Sequence, residues 1–254
     1  MLIEKTEIHG FIIDKLGAHL GRTIMTEEVT LLFSACDANA SAQNYRKAIL
    51  DDNVLLKPTA GSKAETNRRL RQLYSLDPSV LVFRVLRELW NQPSSDQNLL
   101  ALLCALARDP VLRSTTDLVI NTSYGNTLTA KDFEQIVAEN FPGRLNPKTQ
   151  ASTGRNLASS WVQSGHFHRI GTEKTRQRIE PDAMAVVYAL FLAYLSGYRG
   201  DGLFASTWLK LLDSSTHQLH NLAQQASQQG WLEYRHAGQV TEITFRHFME
   251  NDRE

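Results

Sequence analysis

The chain has 254 residues, 42% apolar and 21% charged, which supports a sizeable core and excludes wholesale disorder, collagen-like repeats and low-complexity architecture. Lys and Arg together number 27 and so do Asp and Glu, so the formal charge is zero and a uniformly basic nucleic-acid coat is excluded. The two cysteines, Cys36 and Cys104, sit among apolar neighbours without CxxC spacing, and write neither a disulfide framework nor a zinc ribbon.

The N-terminal residues Met1-Leu2-Ile3-Glu4-Lys5 lack a basic stretch followed by an apolar one, so no secretory signal is read and a cytoplasmic chain is expected. Apolar residues at three-four spacing predict a helix over Glu7 to Leu20, a second led by Thr26 with Glu27 and Glu28 in its first turn, and a third bearing Tyr45, Ile49 and Leu50. Lys57-Pro58-Thr59-Ala60-Gly61-Ser62 breaks the pattern. Helices are then expected over Lys63 to Leu76, Pro78 to Asn91 and Ser95 to Arg108, with connections short enough for antiparallel neighbours. The last is apolar nearly all round and is expected at the centre.

From about residue 118 the texture changes, and the polar stretch Asn121 to Asn126 reads as a linker. Leu128 and Phe133 flank Thr129-Ala130-Lys131-Asp132 as a hydrophobic staple and capping box, starting a helix that runs to Asn140. After the Phe141 to Leu145 turn, Asn146 as N-cap and Pro147 at the first helical position begin another, ended by Gly165. His166 to Ile170 and Arg176 to Glu180, joined by residues 171–175, read as a β-hairpin. Ala183 to Leu195 is an unbroken apolar run of thirteen residues; at 1.5 Å per residue it spans about 20 Å, short of a hydrocarbon core of about 30 Å, so it reads as a buried helix rather than a membrane span. Leu203 to Leu212 and Ser214 to Gln229 are helical patterns, followed by a hairpin of Trp231 to Arg235 and Val240 to Phe245 around His236-Ala237-Gly238-Gln239.

The expected fold is mainly α: a helical bundle over residues 1–117, then a winged-helix-like region over 118–254. That region divides into a first unit at 127–180, the buried helix at 181–197 and a second unit at 203–246. Within the first unit the basic residues Arg144, Lys148, Arg155, Arg169, Lys174, Arg176 and Arg178 face one acid, Glu173, so the stretch from Phe141 to Ile179 carries plus six in a chain of net zero. Lys148, Thr149, Ser152, Arg155, Asn156, Ser159 and Gln163 lie mostly opposite Leu157 and Trp161 on the second helix, where Arg and Lys suit phosphates or guanine and Asn, Gln or Thr suit base edges. This predicts contact with double-stranded DNA, with Arg155 and Arg176 exposed. A second basic patch, Lys57, Lys63, Arg68, Arg69 and Arg71 against Glu65, nets plus four. The second unit mixes Lys210, Arg235 and His236 with Asp213, Glu233 and Glu242 and reads as a protein-packing module.

No phosphate-binding loop, HExxH or GxSxG occurs. His166 and His168, and His217 and His220, have spacings that suit one metal, but no carboxylate or thiol cluster accompanies them, so neither metal, cofactor, small-molecule substrate nor catalytic residue is expected.

The runs Asp52-Asn53-Val54-Leu55-Leu56-Lys57, Thr66-Asn67-Arg68-Arg69-Leu70, Leu99 to Leu112 and Thr153-Gly154-Arg155-Asn156-Leu157-Ala158-Ser159-Ser160-Trp161 resemble the BrxA family of bacteriophage exclusion (BREX) systems, in similar order from about residue 10 to the end. The resemblance implies a small, non-catalytic, all-helical DNA-binding component of a defence operon, acting with other defence proteins. A protein-protein adaptor whose basic surface meets an acidic partner is the alternative, and a transcription regulator a third reading.

Overall fold

The computed structural model of the chain describes residues 9–249 other than 94, 238 and 239. It is mainly helical. Helices α1 (Thr26–Ala35), α2 (Ala42–Leu50), α3 (Ala60–Tyr74), α4 (Leu81–Trp90) and α5 (Gln97–Arg108) are followed by the short α6 (Pro110–Arg113) and α7 (Thr116–Asn121). Then come β1 (Thr127–Leu128), α8 (Ala130–Asn140), α9 (Pro147–Gln163), β2 (Phe167–Ile170), β3 (Glu173–Arg176) and α10 (Ala183–Leu195). The chain continues through α11 (Thr207–Lys210), α12 (Thr216–Gln228), the hairpin β4 (Glu233–Ala237) and β5 (Val240–Thr244), and α13 (Arg246–Met249).

Local chemistry accounts for most of the helix starts. Asp96 accepts from the Asn98 and Leu99 N–H groups at α5, Asn146 from Thr149 at α9, and Asp182 from Ala185 at α10, each satisfying donors that a first helical turn leaves open. Residues 99–107 of α5 are all buried, as is every residue of α10 except Tyr194. These two helices pack together, and α10 also meets α4, α11 and α12. The apolar run therefore finds its low-dielectric surroundings inside the protein, and among the described residues no helix is long and apolar enough to cross a membrane. Buried apolar residues on both sides of residue 117 belong to one cluster.

Three expectations are corrected. No helix runs up to Leu20: residues 9–17 form turns and bends, a 3-10 turn covers Ala18–Leu20, and residues 7 and 8 lie outside the described ones. Here tertiary contacts outweigh local periodicity. The Ile12 N–H donates to the Ala107 carbonyl at 3.1 Å, and Arg113 Nη2 donates to the Ile12 carbonyl at 2.8 Å. Gly17 lies so close to Asp109 that a Cβ there would meet its carboxylate at 2.0 Å. Residues 121–126 are not a free linker either, since the Gly125 N–H donates to the Arg176 carbonyl at 3.0 Å and Arg176 N–H to Asn126 O at 2.8 Å. Finally, the first hairpin turns tightly at Gly171-Thr172, with Gly171 at φ +60°, so its second strand begins at Glu173 rather than Arg176. The turn of the second hairpin, Gly238-Gln239, lies outside the described residues.

The α8–α9 crossing depends on Gly154. A Cβ there would sit 2.5 Å from the Ala130 carbonyl oxygen and 2.9 Å from the Glu134 nitrogen, both backbone atoms of α8. Gly154→Ala is expected to cost about 2 kcal/mol despite its better helix propensity, because the helices must part. Chemical denaturation checks this; an unchanged or raised midpoint contradicts it.

Candidate nucleic-acid interface

Strands β1, β3 and β2 form one antiparallel sheet in that spatial order, with Thr127 opposite Thr175 and Arg169 opposite Lys174. Chain order across the unit is therefore α7, β1, α8, α9, β2, β3. Helix α9 buries Leu157, Ala158 and Trp161, and Trp161 Nε1 donates to Thr115 Oγ1 at 2.9 Å. Opposite this side, Lys148, Ser152, Arg155 and Ser159 recur at four, three and four residues and form one stripe. Lys148 and Arg155 are exposed, Ser152 and Ser159 half-buried. From the hairpin Arg169 Nη2 donates to Ser159 Oγ at 3.2 Å, which carries the positive stripe from helix to sheet. Arg144, also exposed, stands just before α9. The amino end of α9 adds its own partial positive charge beside Lys148.

The other expected contacts are placed differently. Thr149 is half-buried in the first turn, where its N–H bonds Asn146. Asn156 Nδ2 donates to the His19 carbonyl at 3.0 Å, so this amide holds the fold together. Lys174 is 5% exposed; its amine donates to the Thr172 carbonyl at 3.1 Å, and burial with the neighbouring Arg169 charge lowers its pKa. Arg176, expected to be exposed, is 2% exposed. Its Nη2 meets Asp213 Oδ1 at 2.6 Å, while Nε and Nη1 donate to the Val119 and His166 carbonyls at 3.3 Å. Because the turn is tight, Arg176 lies opposite Phe167 on the inner face of the sheet. Arg178 remains exposed and donates to the Asp213 carbonyl at 3.1 Å.

Most side chains of the second patch are engaged by the rest of the fold. Lys57 pairs with Glu28 at 3.1 Å, Lys63 donates to the Leu50 carbonyl at 3.0 Å, and Arg68 and Arg69 share Glu65 at 2.8 and 2.7 Å. The Glu65 carboxyl is held below its usual range: burial pushes upward, but the hydrogen bonds and charges of Arg69 and Arg68 outweigh it. Arg71 is exposed.

Sequence reasoning missed a buried tie beneath α9. His19 Nδ1 lies 2.8 Å from Asp109 Oδ2, and its Nε2 lies 2.8 Å from Ser160 Oγ, which also accepts the Ile24 N–H at 3.0 Å. The Asp109 carboxyl is pushed up by burial but held lower overall by the His19 ring and by hydrogen bonds from His19 and Leu112. Asp, His and Ser are the residue types of a hydrolase relay, yet all three are buried and their bonds join α5, the Ala18–Leu20 turn and α9. The chain between His19 and Ile24, which carries the exposed Arg22, is thus bonded to α9 at both ends, through Asn156 and Ser160. No local signal marks this stretch, because its partners Asn156 and Ser160 are more than a hundred residues away.

No protein-family model matches the chain, and no curated protein matches it.

Under the sheet, His166 Nε2 donates to the Leu211 carbonyl at 2.9 Å, and its Nδ1 lies 2.9 Å from Ser164 Oγ. Burial lowers its pKa from 6.5 to about 4, against the opposing effect of the Leu211 bond. Between these values the unfolded chain takes up a proton that the folded one refuses, so His166 leaves stability intact above pH 6.5 and erodes it as pH falls. The loss is expected to reach about 2 kcal/mol by pH 5. His166→Gln should flatten the acid limb of a stability–pH profile, and a profile identical to wild type contradicts this.

Proposed function

We propose that this chain is a non-catalytic, DNA-binding accessory subunit of winged helix-turn-helix type, with α9 in the major groove and the β2–β3 hairpin as the wing. The observation that carries the reading is the joint one: helix, strand, two helices and a hairpin in that order, strand order β1-β3-β2, and an exposed cationic stripe on the second of the paired helices. Lys148, Arg155, Arg144 and Arg169 supply phosphate or guanine contacts, and Ser152 and Ser159 lie between them. The likeness of several sequence runs to the BrxA family supplies the biological setting, a BREX-like phage-defence complex. A neighbouring methyltransferase, ATPase and phosphatase-like gene would support that setting.

The second unit is assigned to packing and protein contact, because it pairs charges of its own: Arg235 with Glu242 across the hairpin at 3.9 Å, and Arg246 of α13 with Glu233 at 3.4 Å. The adaptor reading is favoured by one observation. Leu56, 84% exposed, is held at φ +51° by a loop in which Asn53 Oδ1 accepts the Lys57 N–H, and Lys57 reaches α1, where Leu31 is also exposed.

Fluorescence anisotropy with random duplex DNA at two salt concentrations tests the proposal. Four contacts predict a log-log slope of about −4. No binding at about 50 mM salt overturns it in favour of the adaptor.

A further inference from the structure

Helix α9 and its cap carry four carboxamides, the side chains that read adenine by offering an acceptor and a donor together. The fold occupies or hides part of each. Asn146 Oδ1 accepts the Thr149 N–H at 2.9 Å, Gln150 Nε2 donates to the Leu145 carbonyl at 3.2 Å, and Asn156 Nδ2 donates to the His19 carbonyl at 3.0 Å. Gln163 Oε1 is buried. The serines of the stripe are engaged as well: Ser152 Oγ donates to the Thr149 carbonyl at 2.9 Å, and Ser159 Oγ accepts from Arg169 at 3.2 Å. A hydroxyl, Thr149 included, is both donor and acceptor and so discriminates poorly between bases. The exposed residues of α9 are Pro147, Lys148 and Arg155. Seven residues at 1.5 Å each set the two cations about 10 Å apart along the helix. The major groove of B-form DNA is about 12 Å wide, so a helix laid across it brings Lys148 to one phosphate wall and Arg155 to the other.

We infer that the α9 face holds B-form duplex DNA by its backbone and without preference for sequence. The inference rests on the DNA reading above and adds the class of DNA that is bound. Lys148 and Arg155 span the groove from phosphate to phosphate, Arg169 continues the contact from the hairpin, and the bases beneath α9 go unread. Arg155 has the planar fork that pairs with guanine, but at a phosphate wall that fork meets phosphate oxygens, which every sequence supplies alike. The span also selects the helix form, because the major groove of A-form RNA is deep and narrow.

The test is a selection with the full chain from duplexes of about 20 base pairs randomised at every position, followed by anisotropy of the enriched and unselected pools at about 50 mM salt. The two pools are expected to bind within about tenfold of one another, where sequence-specific proteins separate them by roughly a thousandfold or more. Arg155→Lys keeps the charge and loses the fork, and should bind every duplex within about threefold of wild type. Arg155→Gln should weaken all duplexes alike and make the salt slope shallower by about 1. Arg155 is exposed, so both variants retain the fold. Duplex RNA of the same length should bind at least about tenfold more weakly than DNA. A sequence bound about a thousandfold above the pool, a loss in Arg155→Lys confined to guanine-bearing duplexes, or equal binding of duplex RNA overturns this inference and leaves DNA binding itself in place. No binding to any duplex DNA overturns both.

Discussion

Replacing Lys148 and Arg155 together by Glu is expected to lower affinity for duplex DNA roughly a hundredfold near 100 mM salt and to make the salt slope shallower by about 2. Both side chains are exposed on one stripe of α9, so reversal removes two phosphate-neutralising charges and introduces repulsion with no core atom disturbed. Glu at position 148 also suits the first turn of a helix, which favours retention of the fold. Reversal of Arg68 and Arg71 is expected to change affinity far less, since the Arg68 side of that helix is already occupied by Glu65. Arg22→Gln should fall between the two, since Arg22 is exposed on the stretch whose ends, His19 and Ile24, are bonded to α9. Anisotropy titrations at three or more salt concentrations provide the check. Equal losses from the α9 and α3 variants would place the DNA on a different face.

Arg176→Ala is expected to behave as a stability variant, losing about 3–5 kcal/mol. The change strands the Asp213 carboxylate, 5% exposed, without its cation, and removes donors from the Val119 and His166 carbonyls. It also removes the cation lying 5.3 Å from the Tyr124 ring and 5.8 Å from Phe167. For a domain of this size the midpoint should fall by roughly 10 °C. Pairing Arg176→Met with Asp213→Leu is expected to recover part of the loss, because a buried ion pair replaced as a whole leaves no lone charge. Denaturant unfolding of the two singles and the double measures this coupling. The DNA salt slope of the folded fraction should remain that of wild type; a reduced slope would make Arg176 a phosphate contact after all.

Periodicity and capping were sufficient for those helices whose stability is decided locally or by a single apolar face. Thr129 with Asp132, Asn146 with Pro147, and Asp182 ahead of the thirteen-residue apolar run all start helices where their chemistry directs, and α5 and α10 are central because nearly every side chain they carry prefers to leave water. The exposure of Lys148 and Arg155 was legible for the same reason: helical spacing places them opposite Leu157 and Trp161. The chain before Ala18 escaped that logic. Its apolar spacing is helical, but Gly10 takes φ +102° and Gly17 is pressed against Asp109, contacts made with residues some ninety positions away.

What only the tertiary structure decided is which charges face water. Arg155 and Arg176 are the same residue type in one basic stretch, yet a tight turn at Gly171 shifts the register of β3 and carries Arg176 inward to Asp213. Asn156 is drawn off the α9 stripe by a carbonyl at His19, and the chain that carries Arg22 is held to α9 by the buried His19–Asp109–Ser160 tie. Sequence spacing reports the direction of a side chain from its own helix or strand, whereas a charge is neutralised by whatever the fold sets opposite it. For this chain those opposing groups lie 37, 90 and more than 130 residues away, beyond the reach of any local pattern.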